Sequence, residues 1–465
     1  MMTQMKTRRQ VLGSLGGVGA GLVILGEPRS ARGAPVNEQV RVAIIGVGGR
    51  GSWFVERMPE HARVVALCDV DEERAGDAFS KIPGARKFED FRRMLDVMQD
   101  DLDGVIVATP DHTHAVASAL VMRHGKPVFC EKPLTHTMHE ARALRSLAAE
   151  SGVATQMGNQ GTSSVAFRKG LELVQRGYIG EVREVHAWNN GGGRGNDTIP
   201  EGAEPVPDTL EWDLWLGPVA AREFHRDWFR WHQWRDFATG QLGNWAAHTL
   251  NLAFMSLRLD AMWHPGKTTA EFRPESRTIK VEAKVGEIVT RSFPRWERIR
   301  WDFPARGKLP PVSVHWHNGS NPLVGRSELE DLMGRKLDWG DAGAKTHQDY
   351  AGLLIIGSKG TIHANAHNVD LKILPDVYMK NLPDLEPVLP PSPGHEREWI
   401  QAIRGGVPAV SNFDYSGPLT EFILSGNIAT QLDGELEFDP VDGSFPNNAR
   451  ADALRHFAYR KGWEL

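Results

Sequence analysis

Between residues 40 and 158, short apolar runs alternate with stretches whose apolar side chains recur every three to four positions. The runs predict strands at 40–46, 63–69, 103–109, 126–131 and 153–157. Helices are expected between them at 71–82 and 115–124, with another from 137 to 149. The last opens on Thr137-Met-His-Glu140, a capping-box pattern. Runs such as Val105-Ile-Val-Ala carry almost no polar residue, as strands of a parallel sheet covered on both faces do. After Asn159 the pattern changes to longer extended segments at 182–190, 277–285, 298–303, 312–317 and 352–364, the last turning through Gly357-Ser-Lys-Gly360. Helices are expected at 242–258, 396–404 and 449–463. The fold class is α/β: an N-terminal Rossmann doubly wound parallel sheet, then a C-terminal α+β domain on a mostly antiparallel sheet. The boundaries read 1–34 for a signal segment, 38–160 and 161–440 for the two domains, and 441–465 for a tail packing back on the body.

The first predicted strand runs into Gly46-Val-Gly48-Gly-Arg50-Gly51, a G-x-G-x-x-G turn at the start of a helix. The first glycine permits the turn, the second lets backbone approach a pyrophosphate, and the third lets helix pack on strand. The second strand ends in Asp69, where a carboxylate can accept hydrogen bonds from an adenosine ribose and would repel a 2′-phosphate. NAD is therefore expected ahead of NADP. A glycine turn in some other α/β domain would leave the strand, helix and acidic residue without a common reason.

Upstream, Arg8-Arg9 precedes a 14-residue apolar run, Leu12 to Leu25, that contains five glycines. That is short of the roughly 20 residues a spanning helix needs, and small residues follow it. A secretory signal of twin-arginine type is expected, with the export machinery as partner and an exported, periplasmic address. With 54 basic against 59 acidic side chains the net charge is −5, which gives no electrostatic case for nucleic acid. The two cysteines, Cys68 and Cys130, end predicted buried strands and read as small core residues. Of 15 tryptophans, 11 fall between Trp188 and Trp316, densest at Trp228-Phe-Arg-Trp231-His-Gln-Trp234. Such rings fill a core or interface, or offer flat faces to sugar rings.

Strand 126–131 delivers Glu131-Lys132-Pro133 to the carboxyl end of the parallel sheet, where open α/β sheets bind ligands, and Ala108-Thr109-Pro110-Asp111-His112-Thr113-His114 reaches the same edge. With the glycine turn, these signatures resemble the Gfo/Idh/MocA family of sugar and polyol oxidoreductases over nearly the whole chain. The resemblance implies that Gly46, Gly48, Arg50, Gly51 and Asp69 hold the adenosine and pyrophosphate of NAD. It implies that Thr109, Pro110, His114, Glu131 and Lys132 line the nicotinamide side, with Asn159 and Gln160 at the domain junction. The family's second-domain motif D-x-G-x-H-x-x-D stands here as Asn244-Trp-Ala-Ala-His248-Thr-Leu-Asn251, so the histidine matches and both acids are amides. An amide orients a hydroxyl but takes no proton, which leaves His248 or Lys132 for proton transfer. Asn244, His248 and Lys132 are the expected catalytic set.

His315-Trp-His317 puts two imidazoles on one strand face, but no third ligand stands nearby in sequence and no metal is expected. The resulting expectation is an exported NAD(P)-dependent oxidoreductase acting on a sugar, polyol or glycoside, holding its nucleotide tightly and assembling as a homo-oligomer. The alternatives are a redox-neutral NAD-dependent glycosidase or epimerase on the same fold, and an NAD-binding protein without catalysis.

Overall fold

The computed structural model describes residues 39–266, 268–319, 324–339, 350–375, 377, 382 and 384–465. The signal expected at 1–34 lies outside them. The chain runs β1 (Arg41–Ile45), α1 (Gly51–Arg57), β2 (Arg63–Cys68), α2 (Glu72–Lys81), β3 (Arg86–Phe88), α3 (Phe91–Met98), β4 (Gly104–Val107), α4 (Asp111–Arg123), β5 (Val128–Cys130), α5 (Met138–Ser151) and β6 (Thr155–Met157). These strands form one parallel sheet in the order β3-β2-β1-β4-β5-β6. That is the doubly wound order, whose strand sequence reverses between β1 and β4 and opens a crevice at their carboxyl ends. The capping box is present: Thr137 Oγ1 accepts from the Glu140 N–H at 3.2 Å, and the Glu140 carboxylate accepts from the Thr137 N–H at 2.8 Å. Gly152, at φ +66°, ends the helix.

The second half adds α6 (Val165–Gln175), β7 (Val182–Asn189), α7 (Trp212–Leu216), α8 (Gly240–Thr249), α9 (Asn251–Ser256), β8 (Ile279–Val285), β9 (Trp296–Phe303), β10 (Val312–Gly319), α10 (Arg326–Met333), β11 (Ala351–Gly357), β12 (Thr361–Asn365) and β13 (Leu371–Leu374). It closes with α11 (His395–Ile403), α12 (Phe413–Ala429), β14 (Leu436–Phe438) and α13 (Ala449–Ala453). An eight-stranded sheet runs β13-β12-β11-β7-β10-β9-β8-β14, antiparallel except where β10 pairs with β7. Its inner face packs Val185, Ala187, Val314 and Trp316 against Leu242 and Ala246 of α8.

Three expectations need correction. The helix predicted at 449–463 stops at Ala453. Beyond it, the Arg460 N–H donates to Pro218 O at 2.9 Å and its guanidinium to Gly217 O at 3.0 Å, so tertiary bonds hold the tail extended. The longest helix, α12, went unforeseen because Gly417, Pro418 and Gly426 interrupt it and it is buried nearly all round, leaving no polar stripe. Gly426 is needed there, since a Cβ would stand 2.4 Å from the Trp301 ring. Finally, the division at residue 160 is not spatially clean. Trp399, Ile400 and Ile403 of α11 join Val42, Ile44, Ile106 and Phe129 in one cluster, so a C-terminal helix covers a face the parallel sheet must bury.

Candidate active site

The glycine turn has the geometry its sequence implies. Gly46 sits at φ +83°, which disfavours any side chain, and a Cβ at Gly51 would stand 1.8 Å from Gly46 O. At Gly48 a Cβ would meet Arg74 of α2 at 2.8 Å, so this glycine also lets α2 pack close. The Asp69 carboxylate closes the turn, its Oδ2 accepting the N–H groups of Val47 and Gly48 at 2.7 Å each and its Oδ1 that of Asp71 at 3.1 Å. An ionised carboxylate has about four acceptor sites, so one remains for a hydroxyl. Burial raises the Asp69 pKa, and the Gly48, Asp71 and Val47 N–H groups oppose the rise.

A cavity of about 370 Å³ opens over this turn and runs along the carboxyl ends of the strands. Gly46, Gly48, Arg50, Asp69, Thr109, Pro110, His114, Glu131, Lys132 and Asn244 line it. Arg50 Nε donates to Glu131 at 2.9 Å, tying the turn to the end of β5, and the Glu131 carboxylate rests on Gly158, where a Cβ would stand 2.7 Å away. His114 bridges the two loops: Nδ1 meets Pro133 O at 2.8 Å and Nε2 meets Thr109 O at 2.9 Å. Two carbonyl acceptors require both nitrogens to carry protons. Although burial opposes the charged ring, the Cys130 sulfur, Asp111 and the Pro133 carbonyl push its pKa up to about 10. His114 is thus a cationic strut between loops.

Four site residues expected from sequence stand off the cavity wall. Gly51 acts through backbone packing alone. Asn159 is fully buried and accepts from Ser411 Oγ. It anchors the domain junction from behind, because β6 ends beneath the loop that precedes α12. Gln160, with its amide oriented to satisfy both neighbours, donates to Gly158 O at 2.6 Å and accepts from Arg50 at 3.2 Å, so it reaches the site through Arg50. His248 lies one turn beyond Asn244 on α8, 4% exposed, its ring 4.6 Å from that of His367 and its Nδ1 without a hydrogen-bond partner among the described residues.

The Lys132 ammonium donates to Asn244 Oδ1 and, at 3.2 Å, to Asn244 O, so the residue standing for an aspartate holds the lysine across the two halves of the fold. Burial lowers the Lys132 pKa, Glu131 and Asp111 pull it back, and Arg50 adds to the drop. Burial also drives His248 well below the ordinary histidine value, followed by the positive charges of Lys132, His367 and Arg50. An imidazole held that far down is a weak base, whereas a lysine moved down from its ordinary value is more readily in its neutral, proton-accepting form. Geometry and charge therefore favour Lys132 over His248 for proton transfer.

The sequence leaves open whether the Trp-rich segment fills a core or faces a site, and the structure uses it to cover the cleft. The Trp-rich excursion docks on the carboxyl end of β2: the Glu72 N–H donates to Thr209 O at 2.9 Å and the Glu211 N–H to Val70 O at 2.8 Å. It places Trp231 and His232 on the cavity wall near Lys132. Burial lowers the His232 pKa, Asp111 resists, and Lys132 adds to the fall. At the other end Trp463 closes the wall, its ring 6.0 Å from Phe91 and under the Arg92 guanidinium at 4.2 Å. The aromatic density was a usable signal for the first; nothing local marked Trp463.

Residues 40–159 match the model of an oxidoreductase family with an NAD-binding Rossmann fold, Gfo/Idh/MocA. Over 120 residues the chain is 36% identical to inositol 2-dehydrogenase of Rubrobacter xylanophilus, which spans 25% of this chain and 33% of that one. Over 155 residues it is 33% identical to inositol 2-dehydrogenase of Rhodococcus jostii, covering 32% and 42%. The chain thus spans less than half the length of these curated relatives. The solved structure of levoglucosan dehydrogenase in complex with NADH superposes with a TM-score of 0.56 at 16% identity, over 86% of this chain and 99% of that one, a likeness of fold. Residues 40–159 are accordingly similar to the NAD-binding Rossmann domain of the Gfo/Idh/MocA oxidoreductases.

Proposed function

We propose that this chain is an NAD-dependent oxidoreductase acting on a sugar, polyol or glycoside. The observation that carries it is the Lys132–Asn244 contact on the wall of a cavity that also holds the glycine turn and Asp69. The open acceptor site of Asp69 suits a ribose hydroxyl, and the close approach that the glycines permit suits a pyrophosphate. When bound, NAD supplies the hydride acceptor. Lys132 takes the proton of the substrate hydroxyl, and Asn244 positions the ammonium that results. His248, buried and neutral one turn beyond Asn244 on α8, stands off this cavity. Trp231 offers a flat face of the kind that packs on a sugar ring. The names of the inositol and levoglucosan dehydrogenases support a polyhydroxylated substrate.

Export by the twin-arginine route is part of the proposal and rests on Arg8, Arg9 and the apolar run after them. An exported enzyme meets no soluble nucleotide pool, so its nucleotide has to stay bound between turnovers. The covering of the cavity by Trp463 and the Trp-rich excursion favours such retention. It therefore favours a second reading, in which oxidation is reversed within each cycle and the net reaction is glycoside cleavage or epimerisation. A homo-oligomer is proposed on the family resemblance. Acid denaturation of the purified protein tests the reading: it should release NAD in preference to NADP, and protein that releases neither and binds neither would overturn it. Arg8→Lys with Arg9→Lys should hold the chain in the cytoplasm, and continued export would remove the retention argument.

A further inference from the structure

The outer face of the eight-stranded sheet carries a group of side chains that the reaction does not use. Side chains alternate along a strand, so with Val314 and Trp316 turned into the core, His315 and His317 of β10 point the other way. The parallel register sets His315 directly opposite His186 on β7, and Glu184 shares the face of His186 two positions earlier. The third ligand that the sequence around His315 and His317 lacks is thus supplied by a strand far away in the chain. One ligand atom from each of Glu184, His186 and His315 lies within 4.8 Å of the others.

The details suit a cation better than a plain hydrogen-bonded stack. Glu184 Oε1 and His186 Nε2 are 2.8 Å apart, and the His186 and His315 rings stack 4.5 Å apart at 5°. Two ligands of a tetrahedral zinc, each at about 2.0–2.1 Å from the metal, stand about 3.3 Å from each other. The Glu184–His186 pair stands a little inside that value and the three ligand atoms lie within 4.8 Å of one another, so side-chain rotation is what an ion needs to gather them. Glu184 Oε2 accepts from Arg335, which leaves Oε1 directed at the imidazoles. Behind the group, His186 Nδ1 and His317 Nε2 are 2.9 Å apart, with His317 only 4% exposed. If His186 ligates through Nε2, its Nδ1–H donates to His317, the outer hydrogen bond by which proteins fix a metal-bound imidazole. His315 and Glu184 are part-exposed, which gives an ion a path in.

We propose that Glu184, His186 and His315 form a zinc-class divalent-metal site that ties β7 to β10, with His317 positioning His186. One carboxylate and two imidazoles leave the fourth tetrahedral position to water. Because the site lies on the sheet face turned away from α8, its role is to fasten the second domain, and it takes no part in the reaction of the cofactor cleft.

The test uses the full exported chain, stripped with a chelator and titrated with zinc by calorimetry, with thermal unfolding followed in parallel. The wild type should bind one zinc per chain and unfold at a higher temperature when loaded. His315→Ala and the isosteric Glu184→Gln should each lose that binding and the thermal shift while keeping the wild-type content of NAD, which reports an intact fold. His317→Phe should retain the stoichiometry with affinity lowered roughly 10- to 100-fold, the usual cost of removing an outer partner. Cobalt in place of zinc should give the visible spectrum of a tetrahedral site. The proposal is overturned if the wild type binds zinc no more tightly than His315→Ala, or if both variants retain stoichiometric binding.

Discussion

The two sheets of this molecule assemble their sites in opposite ways. Around the parallel sheet, the parts proposed to meet the nucleotide come from short motifs, each complete in itself: Gly46 to Gly51, Asp69, Thr109 with Pro110, and Glu131 with Lys132. Around the eight-stranded sheet, apart from Asn244 and His248 on one helix, the groupings join residues far apart in the chain. His248 meets His367, Trp231 and His232 reach Lys132 from an excursion, and Glu184 meets His315 only through strand register. The cofactor side is fixed by backbone geometry, where one misplaced Cβ is prohibitive. The substrate side is fixed by side chains that long-range packing brings together. At the cavity wall, the contact of Lys132 with Asn244 joins the two.

The largest break in this comparison should come from the backbone. Gly51→Ala places a Cβ 1.8 Å from Gly46 O, so the turn cannot keep its shape. Protein with this change should release no nucleotide on denaturation and should lose cooperative unfolding of its N-terminal half; retained NAD would show that the turn is more adaptable than its packing implies. Next comes Lys132→Ala, which removes the proton acceptor. Turnover should fall by about 10²- to 10⁴-fold, the ordinary range for a general base, with the released nucleotide still present. His248→Ala should cost less than this; equal or greater loss would return the acid–base role to the histidine.

A finer test is Asn244→Asp, which restores an acid where the family motif has one. Activity that needs neutral Lys132 rises with pH through the lowered lysine pKa. A carboxylate in contact with the ammonium favours its charged form, so the acid limb of the profile should move to higher pH. An unmoved limb would mean that Lys132 is not the group being titrated. The smallest effect is expected from Trp463→Ala, which opens the adenosine end of the cleft. The nucleotide should dissociate a few-fold faster, with chemistry on the loaded enzyme unchanged, because the aromatic cover contributes on the order of 1 kcal/mol. Dissociation at the wild-type rate would assign retention to the glycine turn alone.

The same contrast explains what the sequence made legible. The strands of the parallel sheet are short apolar runs with their own turns, and β1, β2, β4, β5 and β6 lie where the pattern placed them. The capping box at Thr137 is likewise local. By contrast, β3, β13 and β14 carry charged side chains at Arg86, Lys87, Lys372 and Glu437, so they show no continuous apolar run. Helix α12 is apolar on all sides, and the tail after Ala453 is held by partners near residue 217 that no window could include. Of the site, the lining residues from the motifs were found, whereas Trp463, His232 and the Glu184–His186–His315 group depend on tertiary placement. The resemblance puts Asn159 at the domain junction, and there its side chain accepts from Ser411, a partner that only the tertiary fold brings near.

The central claim is that substrate hydride and nucleotide meet in the cleft beside Lys132. The most direct measurement is to incubate the purified enzyme with polyols and sugars deuterated on their ring carbons, denature it, and weigh the released nicotinamide nucleotide. The account predicts that a substrate of the enzyme leaves deuterium in the nucleotide, and that Lys132→Ala abolishes this transfer while the nucleotide remains bound. Turnover of such a substrate with the nucleotide carrying no deuterium would contradict it.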